Sequence, residues 1–485
     1  MRKSARPGGL SRRRLIGALT ALAPVAAVPA VSLPGTAVAA PESYAGLGKE
    51  AVTAFRSAWD AYRRLAWGRD ELRPLSGSGS DFFAPGHTFG LTIVEALDTL
   101  YLMELDEELV TAVQWVKHEL ALDQDVSVQV FESVIRLVGG LLSGHLATKD
   151  PALLDLARDL ADRLMPAFTE SPTGAPYRYV NLSTGAVSGR HNYVAEIGSC
   201  VTEFGELSRL TGDRSYYGAA KKALRAVCER RSQLDLVGTA LDIETGTWTG
   251  TTATLGPPVD SFFENLWYGW ELYGDEELHA WYTTLTVGVF KYLADRRTGR
   301  LWFRQAEMST GRATGHAQSE LTAFYPGLLA QSGRVTAGRR YHDSWTALLD
   351  AFRLPPDLID YRTMRARDPS YPLRPEYVDS CLFLWLATGN QLYCERAREM
   401  FGRQKRYCQV PNGYTVVRDV TASPMKLGDL TPAYWFSENA KYYFLLFADA
   451  RRFDYRSSHL TTEGNVLRGL LHPDAASGGM GPAGK

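Results

Sequence analysis

The feature that most limits how this chain can fold is a recurring turn. Thr148-Lys149-Asp150, Thr211-Gly212-Asp213, Tyr273-Gly274-Asp275 and Thr388-Gly389-Asn390 each end a run of apolar residues. The runs carry helical spacing, as in Leu153-Leu154-x-Leu156-Ala157-x-x-Leu160-Ala161-x-x-Leu164. The first three turns lie roughly 60 residues apart and the gap to the fourth is about twice that, with Ser332-Gly333 near its middle. A period of that size is two helices with their loops, repeated. Strand signals are short and sparse, and small β-hairpins are expected in the loops, around Thr247-Trp248-Thr249 and Leu301-Trp302-Phe303. The chain therefore reads as all-α, and repeated helix pairs stack either as an open solenoid or as a closed ring.

Carboxylates favour the ring. Four helical openings, at Glu132, Val259-Asp260 through Glu264, Arg374-Pro375-Glu376 through Asp379, and Tyr434 through Glu438, place acidic groups among Phe, Val, Leu and Trp. An ionised carboxylate is expensive to bury unless it meets a cation, a donor or a substrate. If one helix of each pair faces inward, Glu132, Asp260, Glu376 and Glu438 converge on a central cavity; an open superhelix would spread them along a groove. Pro375 suits a first helical position and puts Glu376 in the first turn, where the positive helix end favours it.

Charge narrows the partner. Lys plus Arg number 53 against 54 Asp plus Glu, so no overall field draws nucleic acid or an anionic membrane. A neutral, hydroxyl-rich partner fits better. The 24 Tyr and 11 Trp serve either sugar stacking or a large helical core. Residues 1–40 read as a twin-arginine signal peptide: Arg12-Arg13-Arg14 precedes an apolar stretch to about Leu33, and Ala37-Val38-Ala39 offers a cleavage site. Export to the outside of a bacterial cell is expected, with no stable membrane insertion once the signal is removed. Residues 41–470 are expected to form one barrel domain and 471–485 a disordered Gly/Pro-rich tail. The five scattered cysteines contain no C-x-x-C; Cys394 and Cys408 pairing, or all five being free and buried, are both open.

Ordered segments along nearly the whole mature chain resemble class I α-1,2-mannosidases, glycoside hydrolase family 47. They include Ala58-Trp59-Asp60-Ala61-Tyr62, Gly90 through Leu100, Phe131-Glu132-Ser133-Val134-Ile135-Arg136, Leu373-Arg374-Pro375-Glu376, Gly413 through Val420 and Thr461-Thr462-Glu463. Asp70-Glu71-Leu72-Arg73-Pro74-Leu75 and Ala323-Phe324-Tyr325-Pro326-Gly327 look nearer to the ER-degradation-enhancing mannosidase-like branch. The resemblance implies an (α/α)7 barrel of inner and outer helices. It also implies Ca2+ dependence and inverting release of terminal α-1,2-linked mannose from high-mannose-type oligosaccharides or glycoproteins, by a monomer. An inverting enzyme needs one carboxylic acid for the departing oxygen and one carboxylate to activate water. By carry-over Glu132 is the acid, through a water if need be, Glu376 the base, and Asp260 a third catalytic carboxylate. Thr462 takes the direct calcium position. Glu196, Glu203 and Glu438 are outer-shell candidates, and Arg136, Glu264, Arg374, Asp379, Tyr434 and Glu438 substrate-binding ones.

Each residue also has a purely structural reading. Glu132 can pair with Arg136 and Glu376 with Arg374, Asp260 can cap Phe262 or Phe263, and Thr462 can be an ordinary strand residue. The chain departs from the family pattern in places: Gly464-Asn465 stand where Ala-His is usual, Glu320 stands near a missing histidine, Ala323 replaces a cysteine, Asp379 a glutamate, and Asn439 a threonine. No main catalytic carboxylate is lost. The competing readings are a mannose-glycan-binding protein with little turnover and a helical-barrel hydrolase of another polysaccharide.

Overall fold

The recurring turn does what its residues dictate. In the computed structural model, which describes residues 44–472, Lys149, Gly212, Gly274 and Gly389 all sit at φ between 61° and 78°. Each ends a helix in the left-handed conformation that glycine adopts without strain. Their backbone N–H groups return to the carbonyls of His145, Ser208, Trp270 and Trp385. The threonine then accepts from the next turn residue, as in Asp150 N–H to Thr148 Oγ1 at 3.2 Å, Asp213 to Thr211 at 3.2 Å and Asn390 to Thr388 at 3.2 Å. Asp150 and Asp275 finish the turn by capping the following helix through Ala152 N (3.0 Å) and Glu277 N (3.1 Å). One short phrase thus stops an inner helix and starts an outer one. The expected break at Ser332 is present as the end of a further inner helix.

Seven such pairs make the ring. Outer helices are α1 (Ala45–Leu65), α3 (Asp106–Glu119), α5 (Pro151–Leu164), α7 (Ser215–Cys228), α9 (Glu276–Tyr292), α11 (Val335–Ala351) and α13 (Leu392–Cys408). Inner helices are α2 (Leu97–Leu102), α4 (Val130–Thr148), α6 (Val201–Thr211), α8 (Asp260–Tyr273), α10 (Tyr325–Gln331), α12 (Glu376–Thr388) and α14 (Ala440–Phe447). Inner helices are apolar nearly all round: in α12 every residue from Ser380 to Leu386 is buried. Outer ones are amphipathic, α5 burying Leu153, Ala157, Leu160, Ala161 and Leu164 along one stripe. The ring closes where α14 packs against both α1 and α2, joining the last inner helix to the first. This is the (α/α)7 barrel, and the solenoid alternative falls.

Strands among the described residues form nine antiparallel sheets of two or three strands, including hairpin strands at Thr247–Gly250 and Trp302–Phe303 as expected. Helix α4 is long and apolar enough to cross a membrane, but 78% of that stretch is buried inside the ring. Its apolarity belongs to the core. Most large aromatics have the same use, with Trp59, Trp302, Trp345, Trp385 and Trp435 fully buried. All five cysteines are free and buried. The folded body reaches past the expected boundary at 470: Leu471 N–H donates to Arg452 O, and its carbonyl accepts from Tyr101 Oη at 2.7 Å. The expected signal peptide and the rest of the expected tail lie outside the described residues.

Candidate active site

A cavity of about 330 Å³ opens among the inner helices, and Glu132, Asp260 and Glu376 line it from α4, α8 and α12. Arg136, Glu196, Glu264, Arg374, Asp379, Tyr434, Glu438 and Thr462 line it too. Of the residues singled out in the sequence, Glu203 alone is set behind the wall, on α6 and 1% exposed.

Helix starts aim these groups. Asp260 and Glu376 are the first residues of α8 and α12, led in by Pro257-Pro258 and by Arg374-Pro375. Just upstream, buried Leu373 holds φ at +63°, a strained conformation for a branched side chain, of the sort that collects at functional sites. Two inner helices widen into π turns at the cavity: Ser133–Val138 follows Glu132 directly, and Trp435–Asn439 contains Glu438.

The structural readings resolve unevenly. Glu132 does accept from Arg136 Nε at 2.6 Å. Glu376 does not pair with Arg374, whose Nε donates instead to Asp357 at 3.0 Å, and Glu376 Oε2 is buried without a hydrogen-bond partner. Asp260 accepts only from the neighbouring Ser261 N–H, at 3.1 Å, and caps neither phenylalanine. Thr462 donates to Glu264 Oε2 at 2.8 Å, facing the cavity rather than serving a strand. Glu196 is held by both arms of Arg178, at 2.8 and 2.9 Å.

Two acidic groups escaped sequence reasoning. Arg136 Nη1 reaches Glu95 at 3.1 Å and Glu463 at 2.6 Å, so one guanidinium binds three carboxylates. Its plane lies over the rings of Phe82 and Tyr434, 5.3 and 5.7 Å from their centroids. No local signal could give these partners, which are 41 and 327 residues away. Glu320 is fully buried with neither carboxylate oxygen partnered.

Burial sets the proton affinities. It pushes Asp260 up to about 6, Glu95 to about 7, and Glu264, Glu376 and Glu463 to about 8, with Arg136 opposing it at Glu95 and Glu463 and Arg374 at Glu376. Glu203, Asp379 and Glu438 are raised well above the carboxylate range by burial and by their acidic neighbours. Around Thr462, then, carboxylates crowd without a Lys or Arg in ion-pair reach among the described residues.

That donor set fits a hard cation. Both oxygens of Glu203 and Oε2 of Glu376 lack partners, and Thr462 supplies a hydroxyl and a carbonyl. No three acidic, histidine or cysteine groups among the described residues converge as direct ligands, so such an ion would sit on Thr462 and water. The turn carrying Thr462 is pinned from several helices. Lys441 Nζ, on α14, donates to Gly464 O at 2.5 Å and pairs with Asp98 at 2.7 Å; both side chains are wholly buried. Asp98, on α2, accepts from Val466 N at 2.8 Å, and Asn465 Nδ2 donates to Ile135 O of α4 at 3.0 Å. At Asn465, the departure from the family pattern, the residue spans to α4 through a gap at Gly139 that a Cβ would fill, 2.7 Å from the amide nitrogen.

A ring of paired helices whose inner members bring several proton-active carboxylates to one cavity has the architecture and the acid–base groups that a helical-barrel glycoside hydrolase needs. Residues 54–469 match glycosyl hydrolase family 47, and the chain belongs to that family. It is 35% identical over 442 residues to alpha-mannosidase I MNS5 of Arabidopsis thaliana, covering 85% of this chain and 75% of the relative. It is 32% identical to the endoplasmic reticulum mannosyl-oligosaccharide 1,2-alpha-mannosidase of Homo sapiens, covering 83% and 61%. The ER degradation-enhancing alpha-mannosidase-like protein 2 of Homo sapiens matches at 33%, covering 81% and 69%. Among solved structures, alpha-1,2-mannosidase from Trichoderma reesei superposes with a TM-score of 0.79 at 24% identity, over 87% of this chain and 99% of that one, which supports the fold.

Proposed function

We propose that this glycoside hydrolase is an exo-acting α-mannosidase that removes terminal α-1,2-linked mannose from high-mannose-type glycans with inversion. One observation carries the reading: Glu132, Asp260 and Glu376 line one cavity from three different inner helices in a chain of family 47. The relatives named as mannosidases supply the sugar and, for some, the linkage.

Inversion asks for an acid and a base on opposite faces of the bond. Glu376 takes the proton of the attacking water, and its unpartnered Oε2 is the acceptor available for it. Glu132 serves the departing oxygen. This carboxylate accepts from Arg136 Nε at 2.6 Å and acts through a water, and Asp260, raised to about 6 by burial, is a second proton source within the same cavity. Tyr434 offers a ring face for the sugar, fixed by a hydrogen bond from its hydroxyl to Pro372 O. Glu264, Asp379 and Glu438 face sugar hydroxyls or water. Thr462 would hold a calcium ion, whose positive charge would favour the ionised form of Glu376. We further propose that the protein works outside the cell, after twin-arginine export, as a monomer free of the membrane.

Mannose release from α-1,2-linked mannobiose, followed by proton NMR of the product anomer with calcium present and then chelated, tests this. Calcium-dependent β-mannose is the expected result. Intact glycan binding without release would replace the enzyme by a lectin, and release of α-mannose would remove the inverting mechanism.

A further inference from the structure

The cavity wall continues outward at Glu196 through a single guanidinium. Arg178 binds both oxygens of that cavity-lining carboxylate, while its plane lies 4.9 Å from the ring centroid of Tyr193 and 5.3 Å from that of Tyr179. Tyr193 is 37% exposed, one of few large apolar side chains on the surface. It stands two residues before Ala195, which also lines the cavity. Nη1 of Arg178 has no partner among the described residues.

Two adjacent sheets hold this group rigidly. Tyr179 is in register with Gln129 and Ser188, and Tyr193 with Ala240. Arg178 O accepts from Val130 N at 3.0 Å, two residues before Glu132. Close packing at Gly189, where a Cβ would lie 2.8 Å from Arg178 Cβ, fixes the arginine's stem. An exposed ring backed by a cation, beside a spare donor, suits a neutral polyol: its C–H face rests on the ring and its hydroxyls take the N–H.

We propose that Tyr193 and Arg178 form a binding site for the part of the oligosaccharide that leaves, outside the cavity, so that longer glycans are selected over short ones. This rests on the mannosidase reading. Binding there is the same before and in the transition state, so it acts through KM.

The test compares kcat/KM for α-1,2-mannobiose and for a high-mannose oligosaccharide of eight or nine mannoses, in wild type, Tyr193→Ala and Tyr193→Phe. Wild type should prefer the oligosaccharide, and Tyr193→Ala should cut the ratio about tenfold through KM. Tyr193→Phe, which keeps the ring, should retain the ratio. A ratio unmoved by Tyr193→Ala in active enzyme overturns the site and leaves the mannosidase reading standing. If wild type releases no mannose from either glycan, that reading fails, and calorimetric titration of the oligosaccharide decides the site alone: affinity lost with Tyr193→Ala supports it, unchanged or absent binding overturns it. Should Tyr193→Ala not fold, Arg178→Lys, which keeps the charge and loses the fork, replaces it with the same expected fall.

Discussion

The two sides of the cavity both carry acid, three carboxylates on one and five on the other, and handle it in opposite ways. On the α4 side, Arg136 binds Glu132, Glu95 and Glu463, and the chain supplies its own cation. On the Thr462 side, Glu203, Glu264, Glu376, Asp379 and Glu438 have only hydroxyl partners or none: Thr462 and Tyr268 donate to Glu264, and Tyr442 to Glu438. The first arrangement holds a cation as folded, with Glu95 Oε2 left unpartnered. The second stays protonated or requires charge from outside, because five buried carboxylates without a cation cannot all ionise. The first cluster ties α4 to the closing turn; the second is where the proposed cation would bind.

Breaking the Arg136 side should have the largest effect on the fold. Arg136→Leu leaves buried Glu95 and Glu463 and half-buried Glu132 without their cation and should cost about 3–5 kcal/mol in denaturant unfolding above about pH 8, where Glu95 and Glu463 ionise; a loss under about 1 kcal/mol there would make the contrast false. On the other side, Glu376→Gln should lower turnover by about 10²–10⁴-fold with the fold unchanged, measured by mannose release and circular dichroism. Full activity would take Glu376 out of the base role.

Acidity gives the next contrast. Asp260, Glu95, Glu264, Glu376 and Glu463 keep their protons in the fold up to about pH 6, 7, 8, 8 and 8, against about 4 when unfolded. The folded chain holds more protons than the unfolded one through that window, so their stabilisation, full below about pH 4, is lost as pH rises towards 8. Without calcium the melting temperature should fall by several degrees between pH 5 and 8, and added calcium should raise it most at pH 8. A flat profile with no calcium response would contradict the reading of the Thr462 side. Smallest in stability is Glu203→Gln: a change within about 0.5 kcal/mol without calcium, yet a calcium affinity reduced about tenfold by titration calorimetry. A stability loss like that of Arg136→Leu would put Glu203 in the structural class.

How much could be read in advance follows from distance along the chain. The Thr-Gly-Asp turns were legible because every bond in them spans four residues or fewer, and the helix pairs and ring followed from their repetition. The cavity-lining carboxylates were legible as helix openings with their motif context. The partners of Arg136 were not, since Glu463 reaches it only after the ring has closed. Nor was the choice of Arg374, which turns to Asp357 rather than to the nearer Glu376. The turn between α2 and α3, with Glu104 at φ 58°, was not legible because Met103-Glu104-Leu105 carries neither the threonine nor the glycine that marks the others. The tail boundary moved because Leu471 finds Arg452 and Tyr101, contacts that a Gly/Pro-rich composition does not announce.

The pinning of the Thr462 turn also sets a schedule. Lys441, Asp98, Ile135 and Glu264, which hold Thr462 and its flanking residues, come from four inner helices spread over more than three hundred residues. A ribosome emits Thr462 after all of them, and α1 finds its partner α14 just before. A nascent chain that has passed Glu438 but not Thr462 therefore has the cavity's carboxylates, all but Glu463, without the segment that organises them. If Thr462 holds the ion as proposed, a chain cut short before it should release no mannose.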